Sequence, residues 1–127
     1  MIEALFKQPG YLAAQRMLDA SVVRHKAIAS NIANLETPNY KRIDVSPTFT
    51  SDLRRAVASG DTVQLKSLKP SLAIDTVAVS ANRDGNTVNL EHELLALNQN
   101  QIAHTLETQL ITGSLLKLRL AISGRPA

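Results

Sequence analysis

Apolar and small side chains recur at Leu18, Ser21, His25, Ile28, Ile32 and Leu35, in the alternating steps of three and four that mark one face of a helix. Pro9 and Gly10 precede this run, which predicts a helix from about Gly10 or Tyr11 to Leu35. A longer pattern closes the chain. Leu90, Leu94, Leu97, Gln101, His104, Thr108, Ile111, Leu115, Leu118 and Ile122 keep steps of four and three without a break, a heptad seam. Seven of these ten positions are aliphatic, and the three polar ones fall together in the middle, where Leu95, Ile102, Leu106 and Leu110 supply a second apolar face. The C-terminal helix is therefore expected to have more than one neighbour. Asn89 is placed to cap it, Glu91 and Glu93 lie in its first turns, and Lys117 and Arg119 lie near its end, the charge order that a helix dipole favours.

Between these helices the periodicity weakens. Ser46 before Pro47 reads as an N-cap with a first-turn proline, opening a short helix through Phe49, Leu53 and Val57 that Gly60 ends. Residues 61 to 79 alternate loosely and carry Pro70, which predicts extended or weakly strand-like chain. Asn82 to Asn86 is a turn cluster. The expected fold is mainly α, with long N- and C-terminal helices paired as a coiled coil around an irregular, partly extended middle. The chain divides into 1–36, the N-terminal segment and helix; 37–88, a turn, a short helix and the irregular middle; and 89–127, the C-terminal helix, all within one structural unit.

Composition supports helices that need company. Aromatic residues make up 3% of the 127 positions and there is no Trp, so the large side chains that dominate core burial are scarce. The apolar fraction of 44% is mostly aliphatic. The N-terminal helix can cover one face of the C-terminal helix but not two, so the termini are expected to become fully ordered only on assembly.

Chemistry is harder to find. His92 and Glu93 begin like the zinc-protease helix motif, but that motif needs a second His at position 96, which is Ala. His25, His92 and His104 are far apart and lack thiol or spaced carboxylate partners, and there are no cysteines. His25 and His104 fall on the two proposed seams, where hydrogen-bonded interface roles are expected. Neither a phosphate-binding glycine loop nor a nucleophile elbow is present. No cofactor, metal or catalytic role is assigned. The net charge of +3 comes from residues 1 to 60, with eight basic against five acidic residues, and the basic pairs Lys41–Arg42 and Arg54–Arg55 form no stripe with interleaved aromatics. Nucleic acid is not an expected partner. No stretch approaches the roughly 18 apolar residues of a membrane span, and Glu3, Lys7, Pro9 and Gly10 interrupt the opening segment, so neither membrane insertion nor a cleaved secretory signal is expected.

One block remains unexplained by helix periodicity. Thr37 precedes Pro38, whose ring disfavours helical geometry for the residue before it, so the first helix should stop by about Glu36. Asn39 tolerates the left-handed region that a tight turn requires. Asn31 and Asn34, poor helix formers, sit on the last turns, where their amides can bond freed carbonyls and turn backbone. The string Asn31, Ile32, Ala33, Asn34, Thr37, Pro38, Asn39, Tyr40, Lys41 resembles the signature of the bacterial flagellar rod and hook proteins. Val88, Asn89, Leu90, Glu91, Glu93 and the long helix after them are similar to the end of flagellar rod proteins, most of all those of the proximal rod.

That resemblance implies a structural, non-enzymatic subunit of the flagellar basal body, assembling helically to form part of a torque-transmitting shaft. It implies export by the flagellar type III apparatus. The implied partners are other rod proteins, copies of itself and ring or adaptor components at the rod base. The residues assigned to the assembly seam are Leu18, Ile28 and Ile32 in the first helix and Leu90, Leu94, Leu97, Ile102, Leu106, Ile111, Leu115, Leu118 and Ile122 in the last. Another axial rod protein, or a helical adaptor that binds a single partner, shares the same amphipathic pattern and stays open at this point.

Overall fold

The computed structural model describes residues 8–80 and 82–124; the apolar residues Ile2, Leu5 and Phe6 of the opening segment lie outside them. Two long helices form the frame. Helix α1 runs Pro9–Ala33, with Pro9 at a first-turn position where its missing N–H costs nothing. It ends two residues short of the expected Leu35. The reason is local: the Asn34 backbone N–H bonds back to Ser30 O at 3.1 Å and Asn31 O at 3.2 Å, while its side chain donates to Ser30 O at 2.8 Å, so the carbonyls of the last turn are consumed within the turn. Asn39 takes a φ of 59°, as the turn requires.

Strand β1 (Ile43–Val45) follows, and then helix α2 (Pro47–Ser59), which Gly60 stops with a left-handed φ of 67°. The next segment departs from expectation. Residues 62–67, read as extended, form a short helix α3 (Thr62–Ser67). Asp61 Oδ1 accepts the Gln64 backbone N–H at 3.0 Å, and Leu65 is fully buried; a cap and one anchoring leucine hold a helix too short to show periodicity. Strand β2 (Leu72–Ile74) is the extended element that was expected, and it pairs antiparallel with β1 in the register Ile43↔Ile74, Asp44↔Ala73, Val45↔Leu72. Helix α4 runs Leu90–Ser123, roughly 50 Å at about 1.5 Å per residue. The Asn89 side chain caps it, accepting from the backbone N–H groups of Glu91 and His92.

The apolar core lies at the first half of α1. Leu12 and Ala13 pack with Ala56 of α2 and Leu65 of α3, flanked by Leu53 and Leu68. Helix α4 packs along α1 in the antiparallel sense, with Asn31 meeting Glu93 and Ser21 meeting Asn100. Here the sequence reading needs correction. The heptad seam of α4 does not turn squarely to α1: Leu90, Leu94, Leu115 and Ile122 are exposed, while Leu97, Ile111 and Leu118 are half-buried; Ile102 and Leu106, from the second apolar face, are exposed too. The residues of α4 buried in the chain are Glu93, Asn100 and Glu107, a second heptad rotated by one residue from the expected one. On α1, Ile28 is buried, and Leu18 and Ile32 are half-buried. The same rotation leaves His25 and His104, expected inside the seams, on an exposed rim.

Candidate assembly interface

The signature block forms a turn that is stitched to the chain just before α4. Where α1 ends, the carbonyls of Asn34, Leu35 and Thr37 converge. The Asn86 NH2 lies 2.8, 3.0 and 2.8 Å from them and shares its two hydrogens among the three, while its oxygen accepts the Val88 N–H at 2.8 Å. Asn86 is buried, and a buried amide with this many partners fixes both segments at once. The Asn39 N–H donates to Asp84 O at 2.8 Å, the Thr87 N–H to Tyr40 O at 3.0 Å, and Lys41 Nζ to Gly85 O at 3.1 Å. Gly85 has a φ of 78°, and a Cβ there would lie 2.6 Å from Asn39 Oδ1. The left-handed φ favours glycine there, and a side chain would also have to push the Asn39 amide aside.

Asn31 is the inner anchor of this turn. Its oxygen accepts the Ile43 N–H at 3.0 Å and the Tyr40 hydroxyl at 3.3 Å, and its Nδ2 donates to Ile43 O at 2.9 Å and to Glu93 Oε2 at 3.2 Å. Tyr40 also meets the Ser30 hydroxyl at 3.0 Å, and Thr37 Oγ1 donates to Asn34 Oδ1 at 3.1 Å. Of the remaining signature residues, Ile32 is half-buried, whereas Ala33 and Pro38 are exposed.

Glu93 joins this turn to an ionic cluster. Its other oxygen accepts from Arg42 Nε, and Arg42 Nη1 reaches Asp44 at 3.1 Å and Asp75 at 2.9 Å. Arg24 Nε of α1 pairs with Asp44 at 3.0 Å. Five charged side chains thus connect α1, β1, the end of β2 and the start of α4. Burial works against the Arg42 charge, but Glu93 and Asp44 outweigh it and hold the guanidinium above its ordinary pKa. Burial likewise opposes the Asp44 carboxylate, yet the Val45 N–H with Arg24 and Arg42 holds it below the usual range.

Farther along the seam the contacts stay polar. Asn100 Nδ2 donates to Ser21 O at 2.8 Å, whereas Asn100 Oδ1 and Glu107 Oε2 are buried without a hydrogen-bond partner. Burial pushes the Glu107 carboxyl up, with Ser21, His104 and Arg24 opposing the shift. On the opposite side of α4, Leu95, Ile102, Leu106 and Leu110 are each more than half exposed. Their spacing places them on one stripe facing away from α1. Sequence reasoning found this stripe but missed the polar heptad, Asn86 and the Arg42 cluster. A seven-residue spacing of Glu93, Asn100 and Glu107 was visible in the sequence, yet polar residues ordinarily mark the solvent side of a helix.

The family of flagella basal body rod proteins matches residues 13–41, from α1 through the signature turn. Similarity to curated proteins extends much farther. Flagellar basal body rod protein FlgB of Borrelia hermsii is 34% identical, over 76% of this chain and 83% of its own. The FlgB proteins of Borreliella burgdorferi, at 31% over 75% and 82%, and of Aquifex aeolicus, at 30% over 80% and 83%, are similar over comparable spans.

The ionic cluster makes two predictions. Arg42→Met leaves the fully buried Glu93 without its cation and is expected to lower stability by about 3–5 kcal/mol, measured by urea unfolding at pH 7. Asp44 has a folded pKa below its unfolded value of about 3.9, so its contribution is fully present above that value and is lost as pH falls through the folded pKa. In an acid titration of the thermal midpoint, Asp44→Asn should make the decline below pH ~4 shallower than in the parent chain.

Proposed function

The chain belongs to the FlgB family of flagellar basal body rod proteins, and on that premise we propose that it is built into the proximal rod through the outward stripe of α4. A structural subunit of the basal-body rod must hold its shape while offering surface to neighbours on several sides. The observation that carries this reading is the division of α4 into two faces. Its polar heptad is buried against α1, while Leu95, Ile102, Leu106 and Leu110 stand exposed at 55%, 63%, 56% and 53%. With about half of each side chain still to be buried, each contributes on the order of 1 kcal/mol when a neighbour covers it. Over the four side chains this comes to about 4 kcal/mol per copy, just under the lower end of the stability of a folded domain.

In the same reading Leu90, Leu94, Leu115, Leu118 and Ile122 contact other rod proteins and copies of the chain, whereas Leu18, Ile28 and Ile32 of α1 and the half-buried Leu97 and Ile111 of α4 support the pairing of the two helices. The signature turn from Asn31 to Lys41 sets how the chain leaves α1. The role is mechanical rather than catalytic: torque passes through packed helices, and the charged residues that converge are engaged with one another. Export through the flagellar type III apparatus, and contact with ring or adaptor components at the rod base, complete the proposed path from synthesis to assembly.

Leu106→Asp tests this directly. Leu106 is exposed in the single chain, so circular dichroism and the urea midpoint should match the parent, while incorporation into basal bodies, scored by immunoblot of purified basal bodies, should be lost. Normal incorporation would remove the outward stripe from the rod contact.

A further inference from the structure

The second half of the α1–α4 seam contains a slot that the fold leaves incomplete. Met17, Phe49, Leu53 and Ala103 wall a cavity of about 190 Å³, and Asn100 and Glu107 also line it. Both of these polar residues are 6% exposed, and both bring an acceptor that has no hydrogen-bond partner, Asn100 Oδ1 and Glu107 Oε2. Buried acceptors left open are rare and call for a donor. Apolar walls with a carboxylate and an amide oxygen suit one kind of occupant, a long basic side chain whose methylenes lie on the walls and whose charged end reaches the acceptors. Arg24 also lines the slot, but its guanidinium is engaged by Asp44 at 3.0 Å, so the carboxylate of Glu107 is the charge in need of a partner.

The chain carries a matching donor surface. At the far end of α4, exposed Leu116 and Leu120 lie one turn apart on one face, with exposed Lys117 at its edge. Lys117 cannot reach Glu107 of its own helix, because ten positions at about 1.5 Å each separate them by roughly 15 Å. We propose that the slot at Asn100 and Glu107 receives Lys117 from the C-terminal part of α4 of a second copy, with Leu116 and Leu120 seated against Met17 and Leu53. Slot and donor are different surfaces of one chain, so the contact is head-to-tail; repeated, it builds a ring where the rotation between copies closes and an open helical array where it does not, and the rod reading requires the second. This inference rests on the rod reading above and names one contact within it.

Two surface positions and the absence of native cysteines make the test direct. Full chains carrying Thr50→Cys, at the exposed slot rim, and Ala121→Cys, exposed one turn beyond Lys117, are mixed and mildly oxidised, and the mixed disulfide dimer is measured against the two like-with-like dimers. The mixed species should dominate. Glu107→Gln in the Thr50→Cys chain should lower its yield about tenfold, and pairing a Glu107→Lys slot chain with a Lys117→Glu donor chain should restore most of it, as expected for a charge pair across an interface. Because burial disfavours the ionised Glu107 carboxyl, Glu107→Gln should at the same time raise the urea midpoint of the separate chain at pH 7, so weaker cross-linking cannot come from a damaged fold. A mixed yield no greater than the like-with-like dimers, or one indifferent to Glu107→Gln, overturns the inference. Incorporation of the parent chain into basal bodies, scored in parallel, separates the two readings: incorporation without the Glu107-dependent cross-link removes the slot contact alone, and failure to incorporate removes both.

Discussion

The arrangement of the chain depends on the burial of one carboxylate. Glu93 is fully enclosed, and an ion in that position is tolerated only when its oxygens are satisfied. Asn31 at the end of α1 and Arg42 just before β1 supply the partners, and Arg42 in turn recruits Asp44 and Asp75. The first turn of α4 is thereby attached to three other elements. Without this attachment the pairing of α1 with α4 would rely on a seam whose next buried residues, Asn100 and Glu107, are also polar. Such a seam specifies one register and orientation more strongly than it stabilises the pair.

A polar inner face has a consequence for the outer one. Few aliphatic side chains of α4 are turned to α1, so the stripe through Leu95, Ile102, Leu106 and Leu110 is free for neighbours. An aliphatic seam facing α1 would make the single chain more stable and leave less apolar surface for the rod. The scarcity of aromatic residues fits the same division, since the main apolar cluster, around Leu12, Ala56 and Leu65, is small. Rigidity is concentrated at the junction of Asn31, Arg42, Asn86 and Glu93, where the two long helices and the intervening segment meet.

Much of this was legible before the structure. Helix α4 announced itself through unbroken periodicity and the Asn89 cap, α2 through Ser46, Pro47 and Gly60, and the end of α1 through Thr37 and Pro38. The signature turn was readable where a residue has a local reason: a left-handed Asn39, and the Asn34 amide on the Ser30 carbonyl of the last turn; Asn31, read in the same way, instead holds Ile43 and Glu93. What was not legible depended on distant partners. Asn86 serves carbonyls about fifty residues earlier, and nothing near it in sequence marks that role. Helix α3 was missed because six residues cannot display a period of 3.6. The inner face of α4 was assigned one residue away from its true position because leucines were weighed above polar residues, whereas here a buried ionic cluster decides which face turns inward.

Residue-by-residue amide hydrogen exchange along α4, on the separate chain at low concentration and again in assembled rod, tests this division of faces most directly. In the separate chain, protection should be strongest from Glu93 to Asn100, beside the ionic cluster, and weakest from Ile111 to Ser123, which should become protected only on assembly. Strong protection along the whole of α4 in the separate chain, unchanged on assembly, would contradict a helix held by its polar face and completed by its neighbours.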